Sequence, residues 1–189
     1  MGKIAAYITF VWLVGSPFFG FAVGRNGHIR NNVSDTLQSY LWVKEATGNN
    51  DGYWVEKFIG STGLNPKGQY PWCAAFITYV FKVNNLDVPK YPARAASWFN
   101  EAHLIPNEKA YQGDLGSLYY RKLGRIGHIV MYLQPFINNT PYVVTGEGNT
   151  NAQGSREGNQ AARRIRPRGI IHSSADWITN RKNNKPCLH

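Results

Sequence analysis

Four polar side chains in this 189-residue chain stand where they could do chemistry together: Cys73, His128, Glu147 and Asn149. A thiol becomes a nucleophile when it ionises, and ionisation is favoured by an adjacent base and by a helix N-terminus. Cys73 has the second of these in its own sequence. Cys73, Phe76, Ile77, Val80 and Phe81 recur at i, i+3, i+4, i+7 and i+8, the stripe of a helix facing a core. Pro71 suits a first turn, where its missing N–H would have had no intrahelical partner. The spacing predicts a helix from Pro71 to about Asn84, with the thiol in its first turn. Read alone, a cysteine so placed is more often a small packed hydrophobe than a nucleophile.

His128 follows Gly127 and opens the most apolar run of the chain, Ile129-Val130-Met131-Tyr132-Leu133. A histidine at the mouth of a buried strand can face a cleft, or sit as a satisfied edge residue. Glu147-Gly148-Asn149 follows the strand-like Tyr142–Gly146. Extended backbone points residues two apart to one face, so Glu147 and Asn149 would lie side by side with the glycine making room. A carboxylate and a carboxamide so placed can orient an imidazole. Thiol, base and orienting group are the set that covalent cysteine catalysis needs, in whatever chain order. The alternative is a loop whose polar residues face water.

The elements that would hold these residues read as helices first and strands after. A helix capped by Ser34 or Asp35 carries Leu37, Tyr40 and Leu41, and a short helix spans Tyr53 to Ile59. Another runs from Arg94 to Ala102 with Trp98 and Phe99 inward. After Gly113 come strand-like runs at Leu118–Tyr120, His128–Leu133, Tyr142–Gly146, Arg163–Ile165 and Gly169–His172. Gly116-Ser117 would shorten or bulge the first. This order argues an α+β domain, N-terminal helices packed on a small antiparallel sheet.

Residues 1–24 read as a secretory signal peptide, or an uncleaved anchor, since Ile4 to Gly24 is uncharged and largely apolar. Either way the expected location is the periplasm or outside the cell, with a membrane partner only if the segment stays. Residues 25–33 read as a connector, 34–179 as the domain and 180–189 as a basic tail. The net charge of +10 suits a polyanionic partner such as an acidic wall or membrane. Nucleic acid fits badly, because no nucleic-acid motif is present. The stretch Arg156, Arg163, Arg164, Arg166 and Arg168 reads as a solvated strand face. No metal-ligand pattern or cofactor motif appears, and only Cys187 could pair with Cys73.

The segments Asn50-Asp51-Gly52, Tyr70-Pro71-Trp72-Cys73-Ala74-Ala75-Phe76, Gly113-Asp114, Gly127-His128-Ile129-Val130 and Glu147-Gly148-Asn149 together resemble the CHAP family. These are the cysteine, histidine-dependent amidohydrolases/peptidases, papain-like enzymes of bacterial cell-wall cleavage. The likeness spans roughly residues 34–177. It implies a papain-like fold, Cys73 as nucleophile, His128 as base, Glu147 as orienting group and Asn149 as a second polar partner. It further implies cleavage of an amide in the peptide part of peptidoglycan, as endopeptidase or N-acetylmuramoyl-L-alanine amidase, without a cofactor. Many members carry glutamine just before the cysteine, where this chain has Trp72, and Gln69 lies slightly upstream. Trp72 and Gln69 are therefore candidate substrate or oxyanion contacts, beside the backbone N–H of Cys73, and Arg94 and Trp98 are candidates to line the cleft. Two alternatives share the fold: a non-catalytic wall-binding module, and an antibacterial effector amidase whose partner would be an immunity protein.

Overall fold

The computed structural model describes residues 26–136, 140–151, 153 and 157–179. The expected signal segment, the basic tail and Cys187 lie outside the described residues.

Three helices precede most of the sheet. Helix α1 spans Gly27–Gln38 and buries Val33 and Leu37, one turn apart. It begins at Gly27, not at Ser34, so most of the expected connector is helical and Ser34 is a buried residue inside the helix. What sets this start is tertiary: Arg30 points inward to two carboxylates far along the chain, which no local pattern signals. Helix α2, Tyr53–Ser61, buries Val55, Phe58 and Ile59. It follows Gly52, whose φ of 101° is open to glycine and strained for other residues. Helix α3, Cys73–Val83, is the expected apolar helix and is almost wholly buried. Its first turn locks onto α2 through aromatic rings, with Phe58 and Phe76 centroids 4.8 Å apart and Phe58 and Trp72 5.9 Å apart. The helix expected over Arg94 to Ala102 is only a 3-10 turn, Ala95–Trp98.

The strands form one antiparallel sheet, so the architecture is α+β. They are β1 Leu104–Ile105, β2 Leu115–Tyr120, β3 Arg125–Tyr132, β4 Tyr142–Thr150, β5 Gln160–Pro167 and β6 Ile171–Ala175. Their order across the sheet is β1-β6-β2-β3-β4-β5. Most run longer than their apolar runs suggest, because polar residues such as Ser117 and Thr145 are buried within them. Gly116 and Ser117 lie inside β2, and its register with β3 shifts just beyond, between Leu118 and Tyr119.

Alternation along β3 divides the sheet's two faces. Ile129, Met131 and Leu133 join the core under the helices, while Val130 and Tyr132 join a smaller cluster with Leu118, Val143 and Ile171. On β4, a Cβ on Gly146 would stand 2.2 Å from Leu37, and one on Gly148 would stand 2.7 Å from the Trp72 ring and 2.9 Å from Phe76. These two glycines let α1 and α3 lie against the strand. They also leave Glu147, between them, pointing to the opposite face.

A buried ionic cluster ties α1 to the sheet. Arg30 donates to Asp114 Oδ1 at 2.6 Å, to Asp176 Oδ2 at 3.0 Å and to the Gln112 carbonyl at 2.9 Å. Asp114 and Asp176 share this guanidinium. Burial pushes Asp114 up to about 7; Arg30 opposes the shift and Asp176 adds to it. A carboxyl whose folded pKa is raised contributes stability fully below its unfolded pKa, and that contribution is lost as pH rises toward 7. Asp114→Asn should remove this loss. The melting temperature of the variant minus that of the parent is expected to rise by at least about 3 °C between about pH 5 and about pH 8. A difference that stays flat would contradict it.

Candidate active site

Cys73 is the first residue of α3 and is 6% exposed. Its thiol lies at the helix end, where the first N–H groups have no intrahelical acceptor. His128 comes from β3 and is fully buried. Strands β3 and β4 pair only at Met131↔Gly146 and Tyr132↔Thr145. Toward His128 and Glu147 the ladder stops, and side chains span the strands instead. His128 Nε2 lies 3.0 Å from Glu147 Oε2. The imidazole also engages the thiol of Cys73. Nε2 is committed to the carboxylate, and Nδ1, buried without a hydrogen-bond partner, is the nitrogen left to serve the thiol.

Glu147 is fully buried and completely coordinated. Arg166 grips it with two prongs, Nε to Oε1 at 2.8 Å and a terminal nitrogen to Oε2 at 2.5 Å. Thr145 donates its hydroxyl to Oε1 at 2.7 Å. Burial alone would raise the pKa of Glu147. The hydrogen bonds from Arg166 and His128, with their charges, outweigh it and hold the carboxyl down at about 2. The carboxylate is therefore ionised at any physiological pH.

That fixed negative charge reaches the thiol through the imidazole. Burial pushes His128 down, but its bonds to Cys73 and Glu147 lift it to about 9. Burial likewise pushes the Cys73 thiol up. The neighbouring imidazole of His128 and its charge overcome this, helped by the backbone N–H groups of Ile129 and Ala74, and the net shift is downward. The arrangement favours a thiolate beside an imidazolium. Such a pair can attack an electrophilic carbon and return a proton to a leaving group.

Asn149 is elsewhere. Its φ is 55°, and β4 shifts register against β5 between Glu147 and Thr150, so the two-residue alternation fails here. Its amide nitrogen donates to Gly158 O at 2.6 Å and Asn50 Oδ1 at 3.1 Å, and its Oδ1 accepts the Trp72 N–H at 3.2 Å. Asn149 does not partner the imidazole. It holds the backbone just before the cysteine.

The other predicted residues separate in the same way. Trp72 is fully buried, and its indole N–H donates to Glu45 Oε1 at 2.7 Å, so it offers no donor to a substrate. Trp98 is fully buried too, its indole N–H bonded to the Pro92 carbonyl at 2.9 Å. Both rings satisfy the core's need for apolar bulk. Gln69 is exposed with φ 53°, and its carbonyl accepts from Asn50, outside the cleft at Cys73. Arg94 does line that cleft, together with Tyr70, Ala93, Arg125 and Gly127.

Arg166 is the residue that sequence reasoning misplaced. It reads as one of several solvated arginines, yet it is 7% exposed and clamps Glu147. Alternation held a signal: Arg164 and Arg166 pair with Thr145 and Val143, the β4 residues on the face of Glu147. Among the described residues no three His, Cys, Asp or Glu side chains converge to hold a metal ion.

In comparisons with known proteins, no family model, no curated protein and no solved structure matches this chain.

The clamp predicts a double-mutant result. Arg166→Gln leaves a buried carboxylate short of its cation and should cost about 3–5 kcal/mol in chemical denaturation. Adding Glu147→Gln removes the orphaned charge and should recover part of that loss. If the double variant loses the sum of the two single losses, the clamp is not what holds Glu147.

Proposed function

We propose that the protein is a cysteine hydrolase of papain-like, CHAP type that acts outside the cytoplasm on an amide in the peptide part of peptidoglycan. The observation that carries the chemistry is the buried His128–Glu147–Arg166 hydrogen-bonded series, whose imidazole acts on the Cys73 thiol at the start of α3. The substrate class rests on the likeness of the Pro-Trp-Cys-Ala-Ala-Phe, Gly-His and Glu-Gly-Asn segments to that family, and on the basic character of the chain, which suits an acidic wall.

In this reading the Cys73 thiolate attacks the amide carbonyl carbon while His128 carries the proton. The tetrahedral oxyanion is met by the backbone N–H of Cys73 at the start of α3. The C–N bond then breaks, and the Nδ1 proton of His128 passes to the departing amine. A thioester remains on Cys73. Water, giving a proton back to His128, attacks the thioester, and the acid leaves as the thiol is regenerated. Glu147 keeps Nε2 protonated throughout, so that the Nδ1 side does the exchange.

Cys73→Ala should lower release of soluble fragments from purified peptidoglycan by roughly 10⁴-fold or more. Parent activity should fall as pH rises through about 9, where His128 loses its proton. Cleavage by Cys73→Ala at the parent rate would overturn the reading.

A further inference from the structure

The cleft at Cys73 has a volume of about 260 Å³, and Arg94 and Arg125 are among the residues that line it. None of the residues lining it is acidic. Arg94 precedes the 3-10 turn Ala95–Trp98, and Arg125 opens β3, three residues before His128. Both side chains are exposed, and among the described residues neither makes an ion pair. Arg30 and Arg166, by contrast, are held by buried carboxylates. A neighbouring cleft of about 250 Å³ continues past Leu64, Ala93 and Arg94 to Lys90 and Tyr91, again without an acid. The thiol therefore opens into a groove with cations on its walls and, among the described residues, no acid lining it.

Unpaired guanidiniums beside a reactive thiol recognise a planar anion, because their fork matches a carboxylate in charge and shape. We propose that Arg94 and Arg125 select amide substrates that carry a free carboxylate next to the scissile bond, and disfavour the same substrates once that carboxylate is amidated. This inference rests on Cys73 being the nucleophile. It adds the charge of the substrate, which the Cys73–His128–Glu147 series does not specify.

The test separates the two ideas by reading the thiol directly. In a Cys187→Ser background, Cys73 is alkylated with iodoacetate, which is anionic, and with iodoacetamide, its neutral counterpart. The ratio of the two rates is compared with that of a small free thiol. The ratio at Cys73 is expected to exceed the free-thiol ratio by about fivefold, as one surface-strength charge contact gives, and to shrink with added salt. In Arg94→Gln/Arg125→Gln the ratio should fall several-fold, to the part that the His128 imidazolium alone supplies, while the iodoacetamide rate holds. With synthetic amide substrates, the double variant should lose kcat/KM for the carboxylate form and keep it for the carboxamide form. A parent ratio equal to that of the free thiol, or a double variant that keeps the parent's ratio, overturns the proposal. If neither reagent alkylates Cys73, the cysteine is not a nucleophile and both readings fall together.

Discussion

A buried carboxylate sits between two cations, and most of the site follows from it. Glu147 has no exposed surface, so its charge survives only because Arg166, His128 and Thr145 take up its oxygens. Arg166 neutralises it, and His128 uses what remains. Held in this way, the carboxylate fixes the imidazole's orientation and draws a positive charge onto a ring that burial alone would keep neutral. The thiol shares that charge. A buried ion pair of this kind adds little to stability by itself, but removing one member leaves the others uncompensated, so the set stands or falls as a unit.

The fold brings this set to the thiol by interrupting itself. Had β3 and β4 continued to pair past Met131↔Gly146, backbone hydrogen bonds would fill the space that the side chains now span. The start of α3 is fixed at that gap by several independent contacts. Asn149 holds the Trp72 N–H, Glu45 holds the Trp72 indole, and Gly148 gives Trp72 and Phe76 room against β4. Residues that touch no reacting atom thus decide where Cys73 stands. Helix α1 contributes at a greater distance, through Arg30 and the two aspartates that bracket β2 to β6 in sequence.

What could be read from the sequence was whatever depends on local periodicity. The apolar stripe of α3 is strong enough to place Cys73 in its first turn, and the run after His128 is apolar enough to mark β3. Glu147 followed from the strand before it. The errors share one cause, a long-range partner that local pattern does not carry. Asn149 looked like a neighbour of Glu147 because a bulge is invisible to a two-residue count. Trp72 looked like a cleft residue because an aromatic beside a cysteine can face either way. Arg166 looked solvated because its carboxylate lies on another strand, and the start of α1 was displaced because Arg30 answers to residues beyond position 110. The α+β architecture needed only the order of the elements, and it is what the chain adopts.

His128 is what holds the Cys73 thiol below its ordinary range against the push of burial. The direct measurement is the ultraviolet absorbance of the thiolate, followed against pH in a Cys187→Ser background, with and without His128→Ala. The parent should titrate below the ordinary thiol range of about 8.5, and His128→Ala should move the transition above it, since burial then acts on the sulfur against only the Ile129 and Ala74 N–H groups. A parent that titrates as an ordinary or raised thiol, unchanged by loss of the imidazole, would contradict it.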